Sequence, residues 1–284
     1  MHYLEPLLLG LAAAAFWGTG DFLVNGLSRR LGVTAALFQS HAIALILIGG
    51  IAIAVGQALP AAAPAQWAAV AGGAVLNLVM IAALYRALEL GPLPIVAPIV
   101  GSYAGIAALL TILSGADAVT LRSGLCLATI FAGVLLAAVE PADANRSGTR
   151  SGVGWALLCA GAGGANSWLQ GVSIVPAIGA FWTLLINATV VTAATLLAAR
   201  ARRQTLHTDR PSLAMLGLGA CISFGFLSYF KGLETGSLIL VNVLSSMCSA
   251  VTALLGAALL GHHVGKAQWA GAALILGGIV TLNV

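Results

Sequence analysis

Charged side chains are scarce in this sequence, and their scarcity sets the class of protein. Only 7% of the 284 residues are Asp, Glu, Lys or Arg, whereas 60% are hydrophobic and the mean hydropathy is +1.04. A soluble domain is usually about one quarter charged, so this chain could not cover a water-facing surface. The net charge of +4 comes from arginines between apolar runs, so it reports orientation in the membrane rather than nucleic-acid binding. The predicted partner is the lipid bilayer.

The residue patterns of catalytic and metal sites are also missing. The four cysteines lie inside apolar runs without CxxC spacing, so we expect neither a disulfide framework nor a metal site. The sequence has no nucleophile beside a base, no carboxylate pair with catalytic spacing and no glycine-rich phosphate loop after a strand. It therefore predicts a protein that is not an enzyme and that needs no cofactor.

Long apolar runs fill most of the sequence. Ten of them approach the roughly 20 residues that a helix needs to cross the hydrocarbon core. We place these spans at residues 4–26, 33–55, 66–88, 93–113, 122–139, 152–172, 177–199, 213–231, 238–260 and 267–282. A lipid-exposed span must satisfy its own backbone hydrogen bonds, which favours helices. The predicted fold class is an all-α integral membrane protein with ten transmembrane helices.

One short motif occurs twice, about half a chain apart. The letters RALELG at 86–91 return as KGLETG at 231–236, so that Glu234 follows Glu89 by 145 residues. A repeat of this kind indicates an internal duplication. We therefore divide the chain into a first five-helix repeat (1–140), a connecting loop (141–150) and a second five-helix repeat (151–284). The charged pair in each copy has i, i+3 spacing at a span end, so neutralisation at the membrane interface explains it, although the duplication also allows a gate.

The positive charges are distributed unequally between the two faces of the membrane. Ten of the twelve basic residues lie at the connections after spans one, three, five, seven and nine. These ten are Arg29, Arg30, Arg86, Arg146, Arg150, Arg200, Arg202, Arg203, Arg210 and Lys266, whereas Arg122 and Lys231 lie at even-numbered connections. Because basic connections face the cytoplasm, we predict a multi-pass protein of the plasma or inner membrane with both termini outside the cytoplasm. Repeats with an odd number of spans would be inserted in opposite orientations, as in many secondary transporters.

The sequence resembles the EamA family of the drug/metabolite transporter superfamily over nearly its whole length. The residues that carry the resemblance are FWG at 16–18, YxAL at 85–88, Pro98, and the closing pattern LGx6QxxGxxLIxxG at 260–278. The family usually has Glu after that Leu-Gly, where this chain has His262. The resemblance implies a ten-span carrier for small metabolites or drugs, with spans one, three, four, six, eight and nine around the substrate cavity. It adds four candidates for the cavity wall: Asn77, Tyr85, Tyr103 and Tyr229.

The first span carries a polar stripe that recurs in the sixth span. Trp17, Asp21 and Asn25 follow one another at i, i+4 spacing, which places them on one side of a helix. Asp21 lies about 12 Å along the helix axis from the arginine pair that ends the span, inside the hydrocarbon. The repeat puts Asn166 and Gln170 at the positions of Asp21 and Asn25, so the two stripes would meet across the central axis. The stripes predict either a polar cavity or hydrogen bonds between helices, and an ionisable residue at this depth favours the cavity for Asp21.

The ninth span adds Asn242, Ser246 and Ser249 on one narrow face, as further candidates for substrate binding. We therefore predict a secondary active transporter that moves a small metabolite, such as an amino acid or an amine, by alternating access. The family resemblance favours export. Asp21 is the candidate for coupling to a proton or to a positively charged substrate, and the adjacent Trp17 suits an organic cation.

Two other functions are compatible with the same residues. One is a carrier for quaternary ammonium or cationic drug-like compounds, and the other, in a different class, is a membrane scaffold or receptor that transports nothing. The predicted partners are the lipid bilayer, a small-molecule substrate and a proton. A homodimer is compatible with the sequence, although no feature indicates one.

Overall fold

Every secondary-structure element in the described part of the chain is a helix. The computed structural model describes residues 4–116, 146–204, 206, 211–235, 238–260 and 265–283, together with 124–126, 128–129, 132–133 and 136. Most of the fifth predicted span (122–139) and part of the predicted connecting loop (141–145) lie outside these residues. Arg122, Arg210 and His262 lie outside them as well.

The described helices are numbered here in chain order. They are α1 (Leu4–Leu31), α2 (Val33–Ala54), α3 (Pro64–Leu90), α4 (Leu93–Gly101), α5 (Tyr103–Leu113), α6 (Arg146–Leu169), α7 (Val175–Ala201), α8 (Leu213–Glu234), α9 (Leu238–Ser245), α10 (Cys248–Leu260) and α11 (Lys266–Asn283). A π-helical turn, Gln170–Ile174, joins α6 to α7. Helix α6 begins at Arg146, inside the predicted connecting loop.

Seven helical stretches in the described residues are long and apolar enough to cross a membrane. Large apolar side chains on their outer surfaces are exposed, including Ile46 (76%), Ile53 (83%) and Leu213 (90%). Surfaces of this kind are stable against lipid and costly in water. The structure thus confirms an all-helical protein with several membrane-spanning helices, while the number ten and the inversion of the repeats stay predictions.

The predicted position of the connection between the sixth and seventh spans, residues 173–176, is wrong. The chain stays helical there, and the candidate span Gly152–Ala201 has 50 residues. A straight helix of that length would extend about 75 Å, more than twice the hydrocarbon thickness of about 30 Å. The helix instead breaks at Gly179, where φ is 76° and ψ is 167°. Glycine adopts a positive φ without a steric penalty, whereas Pro176 fits the first turn of α7, so the break follows the glycine.

The fourth and ninth predicted spans are each interrupted near the middle. Ser102 separates α4 from α5, and Ser246 with Met247 separates α9 from α10. The Ser102 and Ser246 hydroxyls each donate to the carbonyl three residues earlier, over 2.7 Å. Such local bonds compete with the helical pattern and explain why two uniformly apolar stretches are discontinuous. Ser102 and Met247 are separated by the same 145 residues as the duplicated motif.

Helices from the two halves of the chain pack in reciprocal pairs. Helix α1 packs on α8, α3 packs on α6, and α2 packs on α7. Small residues allow close approach at several crossings: a Cβ at Gly18 would lie 2.7 Å from the Cys248 carbonyl oxygen, and one at Gly164 would lie 2.9 Å from that of Tyr103. Small residues at crossings are typical of helix packing in membranes. The pairs leave a cavity between α1, α3, α6 and α8.

Candidate functional site

The central cavity contains seven of the twelve predicted site residues. It leaves about 80 Å³ for the centres of water-sized molecules and is bounded mainly by α1, α3, α6 and α8, with contributions from α2, α4, α5 and α10. The predicted residues on its wall are Trp17, Asp21, Tyr85, Tyr103, Asn166, Gln170 and Tyr229. Both polar stripes therefore contribute to one cavity wall, with Trp17 and Asp21 from the first span and Asn166 and Gln170 from the sixth.

The three tyrosines on the wall have their hydroxyl groups engaged by neighbouring helices. The Tyr85 hydroxyl lies 2.9 Å from Ser40 Oγ, and the Tyr103 hydroxyl lies 2.5 Å from Ser245 Oγ. The Tyr229 hydroxyl donates to Asn242 Oδ1 over 2.9 Å. These bonds fix the rings, so the tyrosines present aromatic surface to the cavity and hold its helices together.

Four polar groups on the wall lack such partners. The Trp17 Nε1, Asn166 Oδ1 and Gln170 Nε2 atoms are buried without a hydrogen bond. In the part of the chain that the structure describes, no group donates a hydrogen bond to the Asp21 carboxylate and no cation pairs with it. Buried polar groups are nearly always hydrogen-bonded, so the unpaired groups on this wall make the cavity a candidate binding site. Single unpaired atoms are also buried elsewhere, on Ser28, Asn77, Asn187 and Thr192.

The electrostatics of the cavity depend on Asp21. Among the described residues on the wall, it is the only Asp, Glu, Lys or Arg. Burial disfavours the ionised form of a carboxyl group, and an opposite charge or a hydrogen-bond donor compensates that cost. A proton or a ligand cation at Asp21 would supply the missing compensation.

Aromatic rings surround the indole of Trp17. Its centroid lies 4.9 Å from that of Phe226 in an edge-to-face arrangement and 5.0 Å from that of Tyr229. The indole lies against the backbone of Gly225, where a Cβ would come within 2.5 Å of Trp17 Cδ1. Any larger residue at 225 would therefore displace the ring beside Asp21.

The structure places the other five predicted site residues away from the cavity wall. Asn25 Nδ2 donates to the Leu88 carbonyl over 2.7 Å, which is a bond between helices. Asn242 accepts the bond from Tyr229 behind the wall and donates to the Leu238 carbonyl over 2.9 Å. Ser246 and Ser249 donate to backbone carbonyls near the break between α9 and α10, and Asn77 is buried between helices.

Several residues on the wall were not predicted. They include His41, Met80, Cys159, Ser167, Cys221, Phe226 and Cys248. Helical spacing could have identified two of them: Cys159 precedes Asn166 by seven residues, and Phe226 precedes Tyr229 by three, so each shares a face with a predicted residue. His41 is an ionisable residue near the predicted cytoplasmic end of the second span, for which the sequence leaves pore lining and packing open. For Met80, Ser167, Cys221 and Cys248 helical spacing gives no separate signal.

The fold and the cavity define a class, a multi-pass membrane protein whose helices enclose a small site with unpaired polar groups. Residues 150–284, slightly less than half of the chain, match the EamA-like transporter family. The family indicates a membrane transporter of the drug/metabolite transporter type.

Other comparisons add the fold alone. A search of the curated proteins gave no match. A solved structure described only as "Crystal structure of protein" is similar over 97% of this chain and 95% of its own, with a TM-score of 0.72 and 19% sequence identity. The similarity therefore extends over both halves of the chain, including the half that the family match does not reach.

Proposed function

We propose that the protein is a secondary active transporter for small zwitterionic or cationic metabolites, such as amino acids or amines, and that it works by alternating access. The observation that carries the proposal is the unpaired Asp21 carboxylate, which shares a cavity wall with the unpaired Asn166 Oδ1 and Gln170 Nε2 atoms. Helix packing alone does not require a charge at this depth.

The unpaired groups match both ends of a zwitterion. Trp17 Nε1 and Gln170 Nε2 are donors, which suit a ligand carboxylate or carbonyl oxygen. Asn166 Oδ1 and the Asp21 carboxylate are acceptors, which suit an ammonium group. Since a buried group without a partner costs free energy, a ligand that pairs with the buried atoms of Trp17, Asn166 and Gln170 removes that cost on binding, and the partly exposed Asp21 carboxylate adds an attraction for its cation.

The size of the cavity limits the ligand. One water molecule needs at least about 10–15 Å³ of this kind of volume, so about 80 Å³ accommodates a cluster of a few waters or a compact metabolite. A larger ligand requires the helices to move apart.

Two features of the architecture support alternating access. First, spans four and nine are interrupted at positions 145 residues apart, the spacing of the duplicated motif. Second, α1 packs on α8 as α6 packs on α3, so the two contacts correspond when one half of the chain is exchanged for the other. Discontinuous helices and inverted repeats around a central site are the usual construction of secondary transporters. Rocking of one half against the other would expose the cavity to each face in turn.

Asp21 would couple the substrate to a proton. The protonated carboxyl is neutral and tolerates burial, whereas the ionised form needs a cation beside it. A proton and a cationic group therefore compete for one side chain, and each must leave before the other binds. Competition of this kind gives antiport, and a transporter driven by proton entry would export its substrate.

A carrier for quaternary ammonium or cationic drug-like compounds is the second candidate. The rings of Phe226 and Tyr229 around Trp17, beside a carboxylate, favour it, because aromatic faces attract organic cations. Such a ligand would not need the donors of Trp17 and Gln170. A scaffold or receptor, by contrast, would not need a carboxyl group that exchanges a proton for a cation during each cycle.

A thermal-shift screen of the purified protein tests the proposal. Amino acids, quaternary amines and sugar phosphates would be compared, since a ligand that binds only the folded state raises the melting temperature. We expect a zwitterion or an amine to raise it, and Asp21→Asn to reduce that shift. Glu5→Gln, the same change at an exposed position of α1, serves as the matched control and should leave the shift unchanged. A larger shift with a sugar phosphate than with any amine would contradict the proposed substrate class.

A further inference from the structure

Two helix N-termini in this structure follow glycines with almost the same unusual backbone conformation. Gly32 precedes α2 with φ of 80° and ψ of 153°, and Gly179 interrupts α7 with φ of 76° and ψ of 167°. Each glycine lies where the first helix of one half of the chain passes into the second. Each helix therefore begins anew with backbone N–H groups that have no partner inside the helix.

The N-terminus after Gly179 is closed by a charged pair from α8. The Ala180 amide donates to Glu234 Oε1 over 2.7 Å, and Lys231 Nζ contacts Glu234 Oε2 at 2.7 Å. The same Lys231 Nζ lies 5.5 Å from the centroid of the Phe181 ring. The second copy of the duplicated motif, on α8, thus binds the start of the α7 segment that follows Gly179.

The equivalent N-terminus after Gly32 has no such closure. Among the described residues, no side chain accepts a hydrogen bond from the amides of Val33, Thr34 or Ala35, although Glu89 occupies the position that corresponds to Glu234. Glu89 pairs with Arg86, and both line a cleft with Leu31–Ala35 on its opposite side. The cleft leaves about 910 Å³ for the centres of water-sized molecules. The glutamate of the motif therefore caps a helix N-terminus in the second half, whereas in the first half it pairs with Arg86. There the end of α1 is held to α3 by the bond from Arg29 Nη2 to the Gly91 carbonyl, over 3.3 Å.

We propose that Glu234 and Glu89 are alternating caps that hold the two gates of the transporter. In the conformation described here, Glu234 caps the amide of Ala180 and closes its end of the protein. In the opposite conformation, Glu234 releases Ala180 and Glu89 accepts a hydrogen bond from the amide of Val33. The proposal rests on the proposed function, because alternating access supplies the two conformations between which the caps exchange.

The exchange explains why a charged pair occurs twice. Neutralisation at the membrane interface requires only opposite charges near the headgroups. It does not require the Glu234 carboxylate to accept a hydrogen bond from the amide of Ala180, 54 residues away in the sequence. An acidic side chain at a helix N-terminus is stabilised both by the amide and by the helix dipole. With one such contact broken whenever the other forms, the two conformations stay close in free energy, as repeated opening and closing requires.

Cysteine labelling in sealed vesicles tests the proposal without a substrate. Cys159, on the cavity wall, is kept as the only cysteine, and a membrane-impermeant maleimide is added to vesicles of either orientation. Loss of a helix cap costs about 1 kcal/mol, which shifts the balance between two conformations about fivefold. We expect Glu234→Ala to raise labelling from one face and lower it from the other, so that the ratio of the two labelling rates changes about fivefold. Glu89→Ala should change labelling at the two faces in the opposite directions.

Glu234→Gln is the matched control. It keeps an oxygen that can accept the bond from Ala180 but removes the ion pair with Lys231, so its labelling should remain close to that of the parent. Should Glu234→Ala not give folded protein, Glu234→Asp makes the same test, because its carboxylate is one methylene shorter. Unchanged labelling in a folded variant, or shifts in the same direction for Glu89→Ala and Glu234→Ala, would contradict the alternating caps. Since no transport is measured, either result is separate from the role of Asp21.

Discussion

Asp21 differs from the three tyrosines on the cavity wall and from Asn25 because its side chain has no hydrogen-bond partner among the described residues. The hydroxyls of Tyr85, Tyr103 and Tyr229 have protein partners, and Asn25 bonds to a backbone carbonyl on α3. The Asp21 carboxylate has none among the described residues. The same polar stripe on α1 therefore contains Asn25, which bonds to a neighbouring helix, and Asp21, which faces the cavity without a partner among the described residues.

Asn25→Ala should reduce stability and leave transport unchanged. The substitution leaves the buried Leu88 carbonyl without its donor, at a cost of about 1–2 kcal/mol. We expect a lower melting temperature with unchanged uptake per folded molecule, measured on the same preparation. A variant with normal stability and altered substrate affinity would place Asn25 in the binding site instead.

Trp17→Phe should distinguish the two candidate ligand classes. Phenylalanine keeps an aromatic ring beside Phe226 and Tyr229 but removes the unpaired Nε1 donor. A lost hydrogen bond of about 1 kcal/mol would weaken the binding of a zwitterion about fivefold. Binding of a quaternary amine without an acceptor should change by less than twofold, and equal losses for both ligands would contradict the assigned role of the indole N–H.

Helical spacing predicted which polar residues share a face, but it could not predict which of them reach the cavity. Asp21 and Asn25 differ by about one turn, and Asn25 faces α3 only because the end of that helix lies opposite it. The bond from Tyr229 to Asn242 likewise depends on how α8 and α9 pack. Such contacts belong to tertiary structure, which a single sequence does not contain.

At the level of helices, Gly179 divides the long helical stretch Gly152–Ala201, which contains most of α6 and all of α7, into two segments. Its φ of 76° is unfavourable for any residue with a Cβ. Because its ψ of 167° places it in a region essentially restricted to glycine, Gly179→Ala should lower the free energy of unfolding by about 1–3 kcal/mol. The control is Gly154→Ala, because Gly154 is helical and a Cβ there would meet no atom within 4 Å, so stability should stay equal or rise. Equal melting temperatures for both variants would show that the break does not depend on the glycine.

The helices themselves were largely predictable, and their interruptions were not. Apolar runs located α1, α2, α3 and α8 to within a few residues, because length and hydrophobicity decide what crosses a membrane. The breaks at Ser102 and Gly179 depend on one side-chain hydrogen bond and one backbone torsion. Neither changes the hydropathy of the stretch, so hydropathy did not reveal them.

For the molecule as a whole, the distribution of basic residues predicts its orientation. A reporter that is active only in the cytoplasm should be silent when fused to the C-terminus and active when inserted at Gln204, within the arginine-rich connection between α7 and α8. The reverse pattern of activity would contradict the orientation. The helix packing described above would remain valid in either case.

Uptake driven by a pH gradient into proteoliposomes, compared between the parent and Asp21→Asn, tests the central claim most directly. The substrate would be the zwitterion or amine with the largest thermal shift, and melting temperatures would be measured on the same preparations. Asparagine preserves the shape of the side chain but cannot exchange a proton. We predict a folded Asp21→Asn variant that no longer accumulates substrate against its gradient, while Glu5→Gln accumulates it normally. Normal pH-driven accumulation by Asp21→Asn would contradict the account.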